Sequence, residues 1–239
     1  MINLSVIVPA YNEESTILQI LELVNAQKRG DLALEILVID DGSQDRTVEL
    51  LEANPGLYSR LIKMPRNGGK GAAVKTGMQE ATGDYILFQD ADLEYHPSDY
   101  AKLVRPVTEF NADLVMSSRF AAPEINRVAY FWNKVGNRLI TLFFNILNNK
   151  TFTDIYSCYM LFRRELVPVQ DLKRMGWDQH AEILSIAVKN AKNIYEVPIS
   201  YHGRSVDEGK KIRVHHIVGV FWTIFVRRFL TLDDSPSAR

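Results

Sequence analysis

The sequence predicts an α/β fold: one mostly parallel central sheet with helices on both faces. Three observations carry this. Short apolar runs rich in Val, Ile and Leu recur through the first half, near-continuous in the manner of strands buried on both sides. Stretches with helical periodicity separate them, so strand and helix alternate. Each run stops in a polar, often acidic turn, and sheets of this kind bind ligands beyond the carboxyl ends of their strands.

The first strand is LSVIV (4–8), β-branched and ended by Pro9. A helix follows over 13–27, then a strand, LEILVID, over 34–40. Ser43 is placed to cap the next helix (44–53), with Asp45 and Arg46 in its first turn. RLIKM (60–64) reads as a strand, KGAAVKTGMQEAT (70–82) as a helix and DYILFQD (84–90) as a strand. A helix containing Pro106 leads to the strand ADLVMSS (112–118). The second half differs. Residues 128–147 form a long, very apolar helix bearing Asn133, Lys134, Asn137 and Arg138. After YMLFRRE come a helix over 178–190, a strand over 194–201, and an apolar segment over 214–230 with basic flanks.

A length of 239 residues suits one catalytic domain, expected over 1–230, with a flexible tail over 231–239. The net charge of −1 supplies no global basic field, so no nucleic-acid partner is expected. The single cysteine, Cys158, excludes an intrachain disulfide. The N-terminus reads as a first strand, without the charged leader of a signal peptide. No uninterrupted apolar run reaches the ~18 residues of a membrane span. Charge is nonetheless split. Asp40-Asp41 and Asp90/Asp92/Glu94 lie in the first half, whereas Arg163-Arg164, Lys210-Lys211 and Arg227-Arg228 lie in the second.

Several chemistries are excluded. The first turn, PAYNEES, has no glycine for a dinucleotide fingerprint, and GKGAAVKT fails the P-loop pattern at Val74. No G-x-S-x-G elbow occurs, and the five histidines and one cysteine show no zinc spacing. What remains is YILFQDADLEYHP (85–97). Residues i and i+2 of a strand share a face, so Asp90 and Asp92 would present carboxylates together at its carboxyl edge. Hard oxygen ligands with open positions suit Mg²⁺ or Mn²⁺, with Glu94 as a third oxygen, neutralising a diphosphate. A plain Asp-rich turn that caps a helix would use the same residues.

IVPAYNEE and LVIDDGSQDRT put acidic residues after two further strands. With NGGKGAAVKTG, GDYILFQDADLEYHP and SSRF, the chain resembles the glycosyltransferase family 2 enzymes of GT-A fold over nearly its whole length. The resemblance implies that Pro9, Tyr11, Glu13 and Asp40 hold the nucleoside of a nucleotide sugar, with Asp41 nearby. It implies that Asp90-Ala91-Asp92 hold diphosphate and metal, and that Lys70-Gly71 lie near the nucleotide. Residues 1–118 would form the nucleotide-sugar half.

Residues 119–230 would form the acceptor and membrane-facing half. SSRF with Arg119, DIYSCYMLFRRE and EVPISYHGRSVDEGKKI are similar to the polyprenyl-phosphate sugar synthases, the group of dolichyl-phosphate mannose and glucose synthases. That implies acceptor-phosphate contacts from Arg119 and Arg204. Arg127 is a looser match, Asn133 is the nearest counterpart of a serine of those enzymes, and Lys210 and Lys211 add charge. Asp92, Arg119 and Arg204 are then the residues expected to carry catalysis. The chemistry agrees: a phosphate acceptor arrives anionic, with a second pKa of about 6, and needs cations rather than a base. A hydroxyl acceptor needs a base, for which Glu182 or Asp154 is the candidate. With a phosphate acceptor, Glu182 instead orients arginines or a sugar hydroxyl. A binding protein of the same fold is the third alternative. Cys158 is expected to pack, and His180 to be either a packed residue or part of the site. The chain departs from its relatives after EGKKI, at Arg213-Val214-His215-His216, and at Met160. Dolichyl and undecaprenyl phosphate both fit as acceptor; GDP-mannose, UDP-glucose and UDP-N-acetylhexosamine all fit as donor. The segments 128–147 and 214–230 either pack as core helices or lie on a bilayer, apolar face down. The expected location is therefore peripheral, on the cytoplasmic face of a membrane.

Overall fold

The computed structural model describes residues 1–121, 131–203 and 215–230. The expected α/β architecture is present. Strands β1 (Ile2–Ala10), β2 (Leu32–Asp40), β3 (Arg60–Lys63) and β4 (Tyr85–Phe88) alternate with helices α1 (Ile17–Asn25), α2 (Thr47–Ala53) and α3 (Lys70–Glu80). Then come α4 (Tyr100–Phe110), β5 (Leu114–Ser118), α5 (Phe131–Asn148), β6 (Met160–Arg163), α6 (Gln179–Asn190), β7 (Ile194–Pro198) and α7 (His215–Phe229). The seven strands lie in the order β3-β2-β1-β4-β6-β5-β7. All pairings are parallel except those of β6, which runs antiparallel to β4 and β5. Val6, Ile7, Ile36, Leu37, Val38, Ile39, Ile86 and Leu87 are fully buried along the central strands, as near-continuous apolar runs require.

Three expectations change. Helix α1 begins at Ile17 rather than at residue 13, because residues 12–16 serve the neighbouring turn. Asn12, with φ at +55°, accepts from the Gln44 N–H, and the Glu14 N–H donates to Asp45. Ser43 does not cap α2. Its hydroxyl accepts from the Asn12 N–H, and Asp45 takes the Thr47 N–H at the start of the helix. Strand β4 stops at Phe88, so Asp90 and Asp92 belong to a turn and not to a strand face.

The second half adds two amphipathic helices. α5 and α7 meet through Phe143 and Phe221, with ring centroids 4.9 Å apart. α5 buries Ile140 and Phe144, and α7 buries Val220 and Ile224. Phe131, Trp132 and Ile146 of α5 face solvent, as do Trp222 and Phe229 of α7. Among the described residues no helix is long and apolar enough to cross a membrane.

Candidate active site

The carboxyl ends of β1, β2 and β4 converge, and each contributes an acidic turn. Pro9 and Tyr11 are half-buried at the end of β1. Glu13 follows, its backbone N–H on Thr47 Oγ1 and its carboxylate accepting from Thr16 Oγ1 at 2.9 Å. At the end of β2, Asp40 is 2% exposed. Its Oδ2 accepts from the Gly42 and Ser43 N–H groups at 3.2 Å each. Its Oδ1 is buried with no hydrogen-bond partner among the described residues. A buried carboxylate oxygen left unpaired is costly, so this atom is a ready acceptor for a donor group that enters the cleft.

Asp41 does different work. Its two oxygens accept from the Gly68 and Gly69 N–H groups at 2.7 and 2.9 Å, fastening the glycine turn ahead of α3. Gly69 has φ at +85°, which a side chain would strain. At Gly71 a Cβ would lie 2.4 Å from the Met175 carbonyl oxygen. The loop over 172–178 therefore closes on the start of α3 only because residue 71 is glycine. Glu182 of α6 holds that loop: 1% exposed, it accepts from the Lys173 and Arg174 N–H groups at 3.0 and 2.9 Å. Its other oxygen pairs with Arg227 of α7, at 3.1 Å from Nε.

Lys70, the first residue of α3, points its ammonium at the Asp90 carboxylate. Burial opposes both charges, yet each holds the other ionised: Asp90 raises the Lys70 pKa, and Lys70 keeps Asp90 below the usual carboxylate range. Ala91 is buried beneath the turn. Asp92 is half-buried and its Oδ1 accepts from the Glu94 N–H at 3.1 Å. Glu94, expected as a third metal oxygen, accepts from the Tyr201 hydroxyl at 2.8 Å through one of its oxygens. Among the described residues no three Asp, Glu, His or Cys side chains gather as a metal-binding group. The donor chemistry still fits a divalent cation on two carboxylates: Asp90 already holds a positive group, and both aspartates offer hard oxygens.

Cys158 is buried beside this pair. Burial, with the Asp90 charge, pushes its thiol pKa up, so it packs rather than reacts. His180 is half-buried and donates from Nε2 to the Ile155 carbonyl at 3.0 Å. Burial and then the Lys70 charge lower its pKa to about 4.

Arg119 follows β5. Its guanidinium grips Asp154 at 2.6 and 2.9 Å and lies over the Tyr201 ring, 5.1 Å from the centroid. Asp154 is fully buried and also takes the Asn137 amide at 3.0 Å. Neither Glu182 nor Asp154 is thus a free carboxylate: each is saturated by donors. Asn133 is exposed on the first turn of α5. Arg127, Arg204, Lys210 and Lys211 lie outside the described residues. Sequence reasoning missed the Glu94–Tyr201 link and the loop over 172–178. The clue to the loop was Gly71, whose missing side chain marks a close backbone approach.

The profile described as Glycosyl transferase family 2 matches residues 5–168. The low-salt glycan biosynthesis hexosyltransferase Agl6 of Haloferax volcanii is 31% identical over 202 residues, covering 84% of this chain and 48% of that protein. A dolichyl-phosphate beta-glucosyltransferase of Dictyostelium discoideum is 32% identical over 219 residues, covering 84% of this chain and 66% of that one. The chain thus spans about half to two thirds of the length of these relatives. Glucosyl-3-phosphoglycerate synthase from Mycobacterium tuberculosis shares the fold, with a TM-score of 0.68 at 22% identity over 98% of this chain and 82% of that one. Acidic turns at three converging strand ends and a family match over most of the sheet lead to one conclusion: the chain belongs to glycosyltransferase family 2.

Proposed function

We propose that this protein transfers a hexose from a nucleoside diphosphate sugar to a polyprenyl phosphate, dolichyl or undecaprenyl, at a membrane surface. One observation carries the choice of acceptor. The two acidic residues that a hydroxyl acceptor would use as base, Glu182 and Asp154, are buried and fully hydrogen-bonded. An acceptor that brings its own anionic oxygen needs neither.

In this reading the open Oδ1 of Asp40 accepts from the nucleoside, flanked by Pro9, Tyr11 and Glu13. Asp90 and Asp92 would hold Mg²⁺ or Mn²⁺, which when bound neutralises the leaving diphosphate. Lys70 moves its ammonium from Asp90 to the diphosphate. The acceptor phosphate oxygen forms a bond to the anomeric carbon as the carbon–diphosphate bond breaks on the opposite face, inverting the centre. The bonding pair leaves with the diphosphate, and no proton is transferred. Arg119, Arg127, Asn133, Arg204 and Lys211 orient the acceptor phosphate. The Dictyostelium relative's name supports a polyprenyl-phosphate acceptor. The Mycobacterium enzyme, crystallised with Mn²⁺ and UDP, is compatible with the donor side. The apolar faces of α5 and α7 would lie on the bilayer.

The test is a panel of GDP-mannose, UDP-glucose and UDP-N-acetylhexosamine against dolichyl phosphate, undecaprenyl phosphate and a neutral oligosaccharide, with Mn²⁺ or Mg²⁺. Transfer to a lipid phosphate, lost in Asp92→Ala and in chelator, is expected. Transfer to the oligosaccharide alone would overturn the acceptor assignment, and full activity in chelator would overturn the metal.

A further inference from the structure

Gln89 is the first residue after β4, and its side chain is fully buried. Its backbone N–H continues the β1–β4 ladder by donating to the Ile7 carbonyl at 3.0 Å. The side-chain amide uses all four of its hydrogen-bonding positions. Oε1 accepts from the Tyr100 and Tyr159 hydroxyls at 2.8 and 2.7 Å. Nε2 donates to the carbonyls of Asp90 and Tyr95 at 3.0 and 3.3 Å. Those carbonyls only accept, so the amide can be seated in one orientation alone.

Asp90 and Tyr95 are the two ends of the turn that carries Asp90, Asp92 and Glu94. A single amide ties both. The turn needs such a fastening because Leu93 sits in the left-handed region, with φ at +62°, which a branched side chain disfavours. Asp92 and Glu94 give the turn an internal hydrogen bond, and the Tyr201 hydroxyl and the His202 N–H hold Glu94 from outside, while Gln89 ties both ends of the turn from the core side. The tyrosines are locked in turn. The Tyr159 ring packs on Tyr95 and Tyr100, with centroids 5.1 and 5.7 Å apart. Burial raises the pKa of Tyr100 and of Tyr159, keeping both hydroxyls protonated as donors.

We propose that Gln89 is a positioning residue for the transfer reaction: its amide fixes the shape of the Asp90–Tyr95 turn and thereby the placement of Asp90 and Asp92. The proposal rests on the donor-site reading above for its catalytic consequence, but not for its structural one.

Gln89→Glu is the informative variant. It is nearly isosteric and still accepts from both tyrosines, yet it sets an oxygen against two carbonyl oxygens. Tyr100→Phe is the control, because it removes a buried hydrogen bond and leaves the Nε2 contacts intact. Hydrogen exchange of the peptide covering 90–96, in the protein without substrate, should quicken at least tenfold in Gln89→Glu, with β1 and β4 unchanged. The Mn²⁺ concentration for half-maximal transfer should rise at least tenfold, with the KM for the lipid phosphate unchanged. Tyr100→Phe should lower the melting temperature and move neither readout. Unchanged exchange over 90–96, or a uniform rise across the whole sheet, would overturn the proposal. So would a Mn²⁺ requirement equal to wild type. If Gln89→Glu does not fold, Gln89→Met, which buries no charge, is read by the same exchange measurement. Should the wild type transfer no sugar, the function above fails, while the exchange result still decides what Gln89 does.

Discussion

His180 is neutral at physiological pH because its ring is half-buried and the Lys70 ammonium lies near it, which lowers its pKa from 6.5 to about 4. Between those values the unfolded chain binds the proton and the folded chain does not, so stability falls as pH drops through that window. A shift of this size corresponds to about 3 kcal/mol at most. His180→Gln keeps a donor for the Ile155 carbonyl and removes the titration. Its melting temperature should therefore fall less steeply than that of the wild type between pH 6.5 and 4; parallel slopes would rule this out. Gly71 makes a second prediction. A Cβ there would lie 2.4 Å from the Met175 oxygen, and that neighbour is backbone that cannot swing aside. Gly71→Ala should cost about 1–3 kcal/mol, the usual range for overpacking. At about 2–4 °C per kcal/mol, the melting temperature should drop by several degrees. An unchanged melting temperature would mean that the loop over 172–178 does not sit against α3.

At the scale of elements, the end of β5 is pinned to the turn over 153–156 by the Arg119–Asp154 pair, with side chains 15% and 0% exposed. Breaking one partner of such a pair leaves an uncompensated charge in the interior, typically at about 3–5 kcal/mol. Asp154→Asn should lose that much in urea unfolding, and a loss under 1 kcal/mol would show the pair to be dispensable. The same pair marks the limit of sequence reading. The central strands β1, β2, β4 and β5 were legible because burial on both faces leaves an apolar run. β6 was not: its antiparallel insertion between β4 and β5 is decided by packing across the sheet. The acidic turns were legible as chemistry, but not as geometry. Asp40 and Asp41 are adjacent and chemically alike. Yet one keeps a buried oxygen open, while the other spends both oxygens on the glycine turn. Likewise Asp90 and Asp92 share a turn rather than a strand face, and Glu94 answers to Tyr201, 107 residues away. Only folding brings such partners into reach.

For the whole molecule, α5 and α7 each present one face to the domain and one to the outside. Their inner faces fit the domain, since Phe144 and Ile224 are fully buried and Phe143 meets Phe221 edge to face. Large apolar side chains stand exposed on their outer faces beside Lys134, Arg138 and Arg228: Trp132 is 77% exposed, and Trp222 and Phe229 are each 55% exposed. In the proposed function these two adjacent helices lie on a lipid surface, since isolated exposed apolar residues are ordinary but clustered ones mark an interface. Arg228, exposed near the end of α7, would meet the headgroups. Moving one large apolar side chain out of water is worth about 1.5–3 kcal/mol, and each 1.4 kcal/mol is a factor of ten in partitioning. The double variant Trp222→Ser, Phe229→Ser should therefore bind vesicles of mixed anionic and zwitterionic lipid at least tenfold more weakly in a sedimentation assay. Neither side chain packs into the core, so the melting temperature should hold within a few degrees. Transfer to a short, water-soluble isoprenyl phosphate should also persist, while transfer to long-chain lipid phosphate in vesicles falls with binding. Undiminished vesicle binding would assign these faces another role. Equal loss of activity on the soluble and membrane-embedded acceptors would place the two side chains in the transfer site instead.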